Sequence, residues 1–298
     1  MIKELLKKSA KKEGETSTRI RRIIREKVTL RINLANKKNK ELIDSINYAK
    51  LIQEAVLPDR NRILKAFPQS FIIYKPKDIV SGDFYWFSEK SNKIYIAAVD
   101  CTGHGVPGAF VSMLGHTLLY QAVNDKNIFD PSMILEDVHK NIRRVLKQYE
   151  NTSELHDGMD IAICSFDCID QQLVFSGANH SLLVITEEDE RKNLSEIKGE
   201  KYGIGGKVLG QERTFTAHTI PILKDTMIYL FTDGLVDQFG GTRGKKLMKK
   251  KLKEILLKIS HLKMDEQQFA LSCYLEEWKG ELEQVDDILI IGIRLKKL

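Results

Sequence analysis

The sequence predicts an α+β fold in which mainly antiparallel sheets pack against helix pairs. From residue 69 onward the chain breaks into short strand-like runs: FIIYK, FYWFS and IYIAAVD, then IAICSF, LVFSGA, LLVIT, MIYLFTD and ILIIGIRL. Several of these, such as residues 94–99, are apolar at every position, which requires a cover on both faces. Two helical blocks, residues 107–149 and 244–278, separate the strands into clusters, without the strict alternation of a parallel βαβ sheet.

The first element is a helix over residues 28–57. Val28, Ile32, Ala35, Leu42, Ile46, Ala49 and Val56 recur at heptad-like spacing, with polar Asn39 and Gln53 in the same stripe. That pattern fits a coiled coil, and hence a homodimer through this helix, or a helix docked on the domain that follows. Pro58 and Pro68 bracket its end. The expected organisation is a basic N-terminal segment with a linker helix over 1–57 and a folded domain over 58–298. In the first helical block Pro107 suits a first helical position, and Asp130 followed by Pro131 supplies the cap and first position of a second helix.

With 298 residues and 42% hydrophobic content the chain has ample material for a packed core. No apolar run approaches the ~20 residues of a membrane span and the N-terminus lacks a signal-peptide core, so no span is expected and the cytoplasm is the expected compartment. Cys101, Cys164, Cys168 and Cys273 show no CxxC pairing and sit in apolar sequence, which predicts buried, reduced thiols and no zinc site. The net charge of +6 is unevenly spread: residues 1–40 carry 14 Lys+Arg against 4 Glu, leaving 33 basic against 37 acidic residues in the remainder. A basic arm can bind nucleic acid or an anionic surface. Here no aromatic residue interleaves the cations before Tyr48, so the segment reads as the solvated face of a linker helix and no nucleic-acid partner is expected.

Four acidic signatures carry the chemistry: SGDFYWF at 81–87, AVDCTGHGVPGA at 98–109, LFTDGL at 230–235 and VDDILIIGI at 285–293. In each, an aspartate (Asp83, Asp100, Asp233, Asp286) lies at the edge of an apolar run, where a lone carboxylate is costly to desolvate unless a cation or hydrogen-bond donors receive it. Singly, an Asp-Gly pair is most often a turn and VDDILIIGI fits a capped edge strand. Together, with no basic residue beside them, they suit a pair of hard divalent cations, Mn²⁺ or Mg²⁺. Such ions take oxygen ligands, clamp a phosphate and lower the pKa of a shared water. The loop after Asp100 carries Gly103, Gly105 and Gly108 ahead of a helix and can offer N–H groups to an anion. His104 within that loop is a candidate proton donor to a leaving alkoxide.

Taken in order, DSINYAKLIQEAVLP, KPKDIVSGDFYWF, DCTGHGVPGAF, DGMDIAICSFD, FSGANH, LFTDGLVDQFGG and VDDILIIGI resemble the metal-dependent PPM-type serine/threonine protein phosphatases in their bacterial SpoIIE-like branch. The resemblance covers about residues 42–298. It implies an αββα sandwich of two central antiparallel sheets flanked by helix pairs, with two metals at one end. By motif position it implies Asp83 and Asp100 as ligands, Asp100 as the bridge, the backbone carbonyl of Cys101 as a further ligand, and Asp233 and Asp286 completing the set. Asp287 falls where relatives carry Asp or Asn and suits an outer role. Asp160, in HDGMD, either adds a ligand for a further metal or fixes Asp233, while Asp157 with Gly158 reads as a turn. The implied mechanism has a metal-bridging hydroxide attack phosphorus in line, without a covalent nucleophile.

Two positions depart from the wider family. His104 lies four residues beyond Asp100, whereas eukaryotic members place a histidine two residues after the corresponding aspartate, and Gly203 stands where relatives often have proline. No counterpart of the eukaryotic phosphate-binding arginine is visible, although Lys75 and Lys77 are close by in sequence. The resemblance implies a phosphoprotein substrate, with an anti-sigma-factor antagonist of a partner-switching system as the suggested one, and an upstream sensor or regulatory region. Residues 239–254, basic and glycine-led, read as an exposed helix face or as a flap that recognises an acidic phosphoprotein. Two alternatives stand beside the phosphatase: a catalytically silent or sensor-gated signalling module of the same fold, and a nucleotidyl cyclase, for which purine-recognising residues are not found.

Overall fold

The structure, a computed structural model, describes residues 1–149, 155–188, 191–206, 212–223 and 225–296; the side chains of residues 2–24 and 188 lie outside the description, and with them much of the basic N-terminal charge. The chain divides into two compact units, residues 1–49 and 50–298. Helix α1 (Ile2–Val56) begins well before the expected residue 28, because the stretch ahead of it has no proline and is rich in Lys, Arg, Glu and Leu, all good helix formers. Val28, Ile32 and Leu42 of the heptad-like stripe remain exposed.

After α1 the order is α2 (Arg60–Ala66), β1 (Ser70–Lys75), β2 (Phe84–Lys90), β3 (Lys93–Cys101), α3 (Gly105–Tyr120) ending in a π-helical turn at Gln121–Asp125, and α4 (Pro131–Val145). There follow β4 (Gly158–Asp167), β5 (Gln172–Ala178), β6 (Ser181–Glu188), β7 (Arg191–Lys198), β8 (Ile204–Gly205), β9 (His218–Ile220) and β10 (Thr226–Phe231). The chain closes with α5 (Asp233–Asp237), β11 (Phe239–Gly240), β12 (Lys245–Lys246), α6 (Met248–Ile259), α7 (Met264–Lys279) and β13 (Ile288–Leu295). One sheet has the order β1-β13-β10-β6-β7, and the other β2-β3-β4-β5-β9 with β8 added on β4.

The period-2 alternation of the strands explains the layers. Ile96 and Ala98 of β3 and Leu289, Ile291 and Ile293 of β13 meet in a core between the two sheets. Their neighbours face outward: Tyr95, Ala97 and Val99 pack under α3 and α4, and Ile288 and Ile290 under α6 and α7. Strands apolar on both faces therefore lie between a sheet and a helix layer, which gives the expected αββα sandwich. Both α3 and α4 follow caps of different quality: Asp130 accepts from the N–H groups of Ser132 and Met133 with Pro131 behind it, whereas His104 caps α3 without a side-chain bond.

Some local expectations are corrected. Helix α3 starts at Gly105, so Pro107 is its third residue, still within the turn whose N–H groups have no helical acceptor. The block expected to be helical from 244 opens with the β11–β12 hairpin, because Gly241 and Gly244 take positive φ and reverse the chain. Cys101 and Cys164 are buried, but Cys168 and Cys273 are exposed: Cys168 lies one residue past the end of β4, and Cys273 on the outer face of α7. Strand β7 is missed by a hydrophobicity pattern because its alternation is carried by polar residues on the sheet edge.

Residues 50–56 of α1 belong to the second unit, and Gln53 is buried there. Its Nε2 donates to the Ser81 carbonyl oxygen at 2.7 Å and to Ser112 Oγ of α3 at 2.9 Å, while its Oε1 accepts from the Ser81 N–H at 3.0 Å. The polar residue in the apolar stripe thus ties the end of α1 to the segment leading into Asp83.

Candidate metal centre

Strand register gathers the acidic residues at one end of the sandwich. In the β2–β3 pair Phe84 lies opposite Val99, which places Asp83 and Asp100 at adjoining strand ends. In the β3–β4 pair Asp100 lies directly opposite Asp160. In the other sheet Phe231 of β10 faces Ile290 of β13, and Thr232 N–H donates to the Leu289 carbonyl oxygen at 3.0 Å, so Asp233 emerges beside Asp286 and Asp287. Asp233 opens the short α5 and turns its backbone N–H onto the Asp100 carboxylate.

The electrostatics are those of crowded like charges. Burial pushes Asp100 up from 3.8 to about 8, with Asp233, Asp160 and Asp286 adding to it. Asp83 is raised well above the usual carboxylate range by burial and then by Asp100, and Asp233 is raised by burial and then by Asp286. Asp83 Oδ2 is buried with no hydrogen-bond partner. A buried carboxylate oxygen without a donor, in a group of repelling carboxylates, is what bound cations would relieve. Oxygen-only donors suit hard cations such as Mn²⁺ or Mg²⁺. Among the described residues no three His, Cys, Asp or Glu side chains already converge at ligating distances, so a cation would have to draw these neighbours together.

The remaining expected residues take distinct places. Asp287 is buried, and both its oxygens are occupied by backbone donors: Oδ1 by Lys77 N–H at 2.7 Å, Oδ2 by Gly82 N–H at 2.7 Å and by Asp83 N–H at 3.4 Å. It therefore anchors the Asp83 loop and has little capacity left for an ion. Asp160 Oδ2 accepts from Asn179 Nδ2 at 2.5 Å. The Cys101 backbone runs against Gly82, where a Cβ would approach the Cys101 carbonyl oxygen to 3.3 Å. A Cβ on Gly108 would collide with the Gly103 carbonyl oxygen and come within 2.9 Å of Gly82 Cα, so this glycine lets the Asp100 loop close on the Asp83 loop. At Gly203 a Cβ would collide with Asp160 Oδ1 and come within 2.9 Å of the Met159 carbonyl oxygen, so this glycine lets the chain pass close to Asp160.

His104 is exposed at the rim. Its Nδ1 lies 2.7 Å from Asp78 Oδ2 and its Nε2 3.0 Å from Lys77 Nζ. Lys77 is thereby joined to the site through His104 and, by its backbone, through Asp287. Lys75 turns to Glu276 at 2.5 Å instead. Three further residues of this region are not legible as such in sequence. Gln53 acts at a separation of 28 residues from Ser81. Asn179 and His180 lie in FSGANH, one of the motifs that carry the resemblance but one that assigned neither residue a role; Asn179 follows an apolar strand and tolerates the positive φ of 58° found there.

The family model described as Stage II sporulation protein E (SpoIIE) matches residues 90–296. The chain belongs to the SpoIIE family. Among curated proteins, this SpoIIE-family chain is 26% identical over 164 residues to "Phosphoserine phosphatase RsbU" of Bacillus subtilis (strain 168), a stretch that makes up 54% of this chain and 44% of RsbU. The chain thus spans less than half the length of that relative. Among solved structures it is similar to the SiaA-PP2C domain of Pseudomonas aeruginosa, with a TM-score of 0.75 and 34% identity, covering 87% of this chain and 98% of that one. The PP2C phosphatase domain of the cell fate determinant SpoIIE from Bacillus subtilis, with a fragment of its regulatory domain, shares the fold at a TM-score of 0.57 and 18% identity, covering 76% of this chain and 63% of that one.

Proposed function

We propose that this SpoIIE-family chain hydrolyses phosphoserine or phosphothreonine in a regulatory phosphoprotein, with two divalent cations, Mn²⁺ or Mg²⁺, held at the acidic end of the sandwich. The observation that carries this reading is the group of mutually repelling carboxylates built by strand register around Asp100. Asp83, Asp100, Asp233, Asp286 and the Cys101 carbonyl would hold the ions, and Asp160 would add a further ligand or stay with Asn179. Bound cations supply an activated water and neutralise the phosphate. The chain's own part is to fix the carboxylates: Asp287 pins the backbone of Gly82 and Asp83, and the Asp233 N–H steadies Asp100. His104, whose ring nitrogens lie beside Asp78 and Lys77, would pass a proton to the departing Ser or Thr oxygen, and Lys77 would attract the phosphate. The similarity to the SiaA-PP2C domain and to RsbU supports the reaction class. The kind of substrate proposed, an anti-sigma-factor antagonist, rests on the motif resemblance alone.

A gated form of this reading is favoured by Gln53, whose amide joins the end of α1 to Ser81 and Ser112. We propose residues 1–57 as the regulatory segment, with the exposed stripe of α1 as a homodimer contact. The deciding experiment measures hydrolysis of an aryl phosphate and a phosphoserine peptide with Mn²⁺, with Mg²⁺ and with chelator, for wild type, Asp100→Ala and Asp233→Ala. Metal-dependent turnover lost in both variants supports the phosphatase. Binding of Mn²⁺ without turnover by wild type would favour the silent or gated module.

A further inference from the structure

We infer that Asn179 and His180 form a two-residue positioning clamp on Asp160 and Asp100, the pair of carboxylates that face each other across β3 and β4. The inference rests on the metal-centre reading above and assigns to it two residues outside the ligand set. The turn between β5 and β6 is held to the chain after β7: Asn179 N–H donates to the Glu200 carbonyl oxygen at 2.8 Å, and Gly199 N–H to the His180 carbonyl oxygen at 3.2 Å. With Asn179 at φ +58°, this turn sends two consecutive side chains onto two different acidic strands. Asn179 Nδ2 donates to Asp160 Oδ2 at 2.5 Å. His180 Nε2 lies 3.8 Å from Asp100 Oδ2.

The second contact is longer than a hydrogen bond. Yet His180 is 8% exposed and its Nε2 is buried without a hydrogen-bond partner, which is costly unless something completes it. A small movement of the Asp100 carboxylate, of the kind that drawing the four aspartates onto cations requires, brings Oδ2 within reach of an Nε2–H donor. Oδ2 of Asp100 is then held by His180, beside the hold that the Asp233 N–H already has on that carboxylate. Asn179 does the same for Asp160. Both side chains act through the carboxylates, so they are positioning residues. Partners of this outer kind are typically worth about 10–100-fold in metal affinity.

The test is Mn²⁺ binding by the full chain, followed by calorimetric titration and by the EPR signal of free Mn²⁺, together with the melting temperature in chelator. His180→Ala is expected to weaken Mn²⁺ binding about 10–100-fold with an unchanged melting temperature in chelator. His180→Gln, whose amide nitrogen falls near the place of Nε2, is expected to recover most of that loss. Asn179→Gly, which keeps the positive φ, is expected to weaken the binding step that depends on Asp160. Wild-type affinity in His180→Ala, or equal loss in His180→Ala and His180→Gln, would overturn the clamp alone. A wild-type protein that binds no Mn²⁺ would overturn the metal centre and the clamp with it.

Discussion

Gln53 and Ser81 exchange a complete pair of hydrogen bonds: the Ser81 N–H donates to Gln53 Oε1 at 3.0 Å, and Gln53 Nε2 donates to the Ser81 carbonyl oxygen at 2.7 Å. A side-chain amide thus serves as a one-residue strand partner for the peptide two positions before Asp83. Gln53→Ala leaves the buried Ser81 N–H unpaired, at about 1–3 kcal/mol, and leaves the Ser81 carbonyl oxygen only the longer bond from Ser112 Oγ at 3.5 Å. The expected outcome is a lower melting temperature and, because the Asp83 loop loses its anchor, weaker Mn²⁺ binding. Thermal melts with and without Mn²⁺ check it; a variant with wild-type metal dependence would separate Gln53 from the site.

The raised Asp100 gives a pH prediction for metal-free protein. A carboxyl whose folded value, about 8, lies above its ordinary 3.8 binds its proton more tightly in the folded state. Its stabilising contribution is present below the ordinary value and is lost as pH rises through the folded one. In chelator the melting temperature should therefore fall between pH 4 and pH 8, and added Mn²⁺ should reverse the fall. A flat profile in chelator would show that Asp100 is already ionised without strain.

Asp100→Asn should raise the melting temperature in chelator while removing most of the gain that Mn²⁺ gives the wild type. Like charges in one site oppose folding until a cation binds. Differential scanning calorimetry in chelator and in Mn²⁺ measures both effects on one sample series.

Gly108→Ala tests the closure of the two glycine loops. Its Cβ would collide with a backbone carbonyl, that of Gly103, which cannot rotate away as a side chain could. A loss of about 1–3 kcal/mol in stability, the usual range for overpacking, is expected, together with reduced turnover. Denaturant unfolding and single-turnover assays provide the check.

Removing residues 1–49 keeps Gln53 and the second unit intact. The truncated chain should fold, sediment as a monomer in contrast to the dimer proposed for the full chain, and show altered turnover. Identical sedimentation and kinetics would remove both the dimer contact and the regulatory role proposed for α1.

Local patterns in the sequence are enough for antiparallel sheets packed against helix pairs and for the candidate aspartates, while the αββα sandwich came from the family resemblance. Continuous apolar runs such as 94–99 and 288–293 require two covered faces, and an aspartate at the edge of each run marks where a strand reaches the acidic end. Family resemblance then assigned roles to Asp83, Asp100, Asp233 and Asp286. Only the tertiary structure decided which oxygens are free. Asp286 and Asp287 are adjacent in sequence, yet Asp287 spends both oxygens on backbone N–H groups of a loop some 200 residues away, at separations of 210, 205 and 204 residues. Gln53, Asn179 and His180 are likewise defined by partners distant in the chain or across a strand pair. Hydrogen bonds and like-charge repulsion depend on angstrom distances that register and sheet stacking set, and no local run of residues encodes those distances.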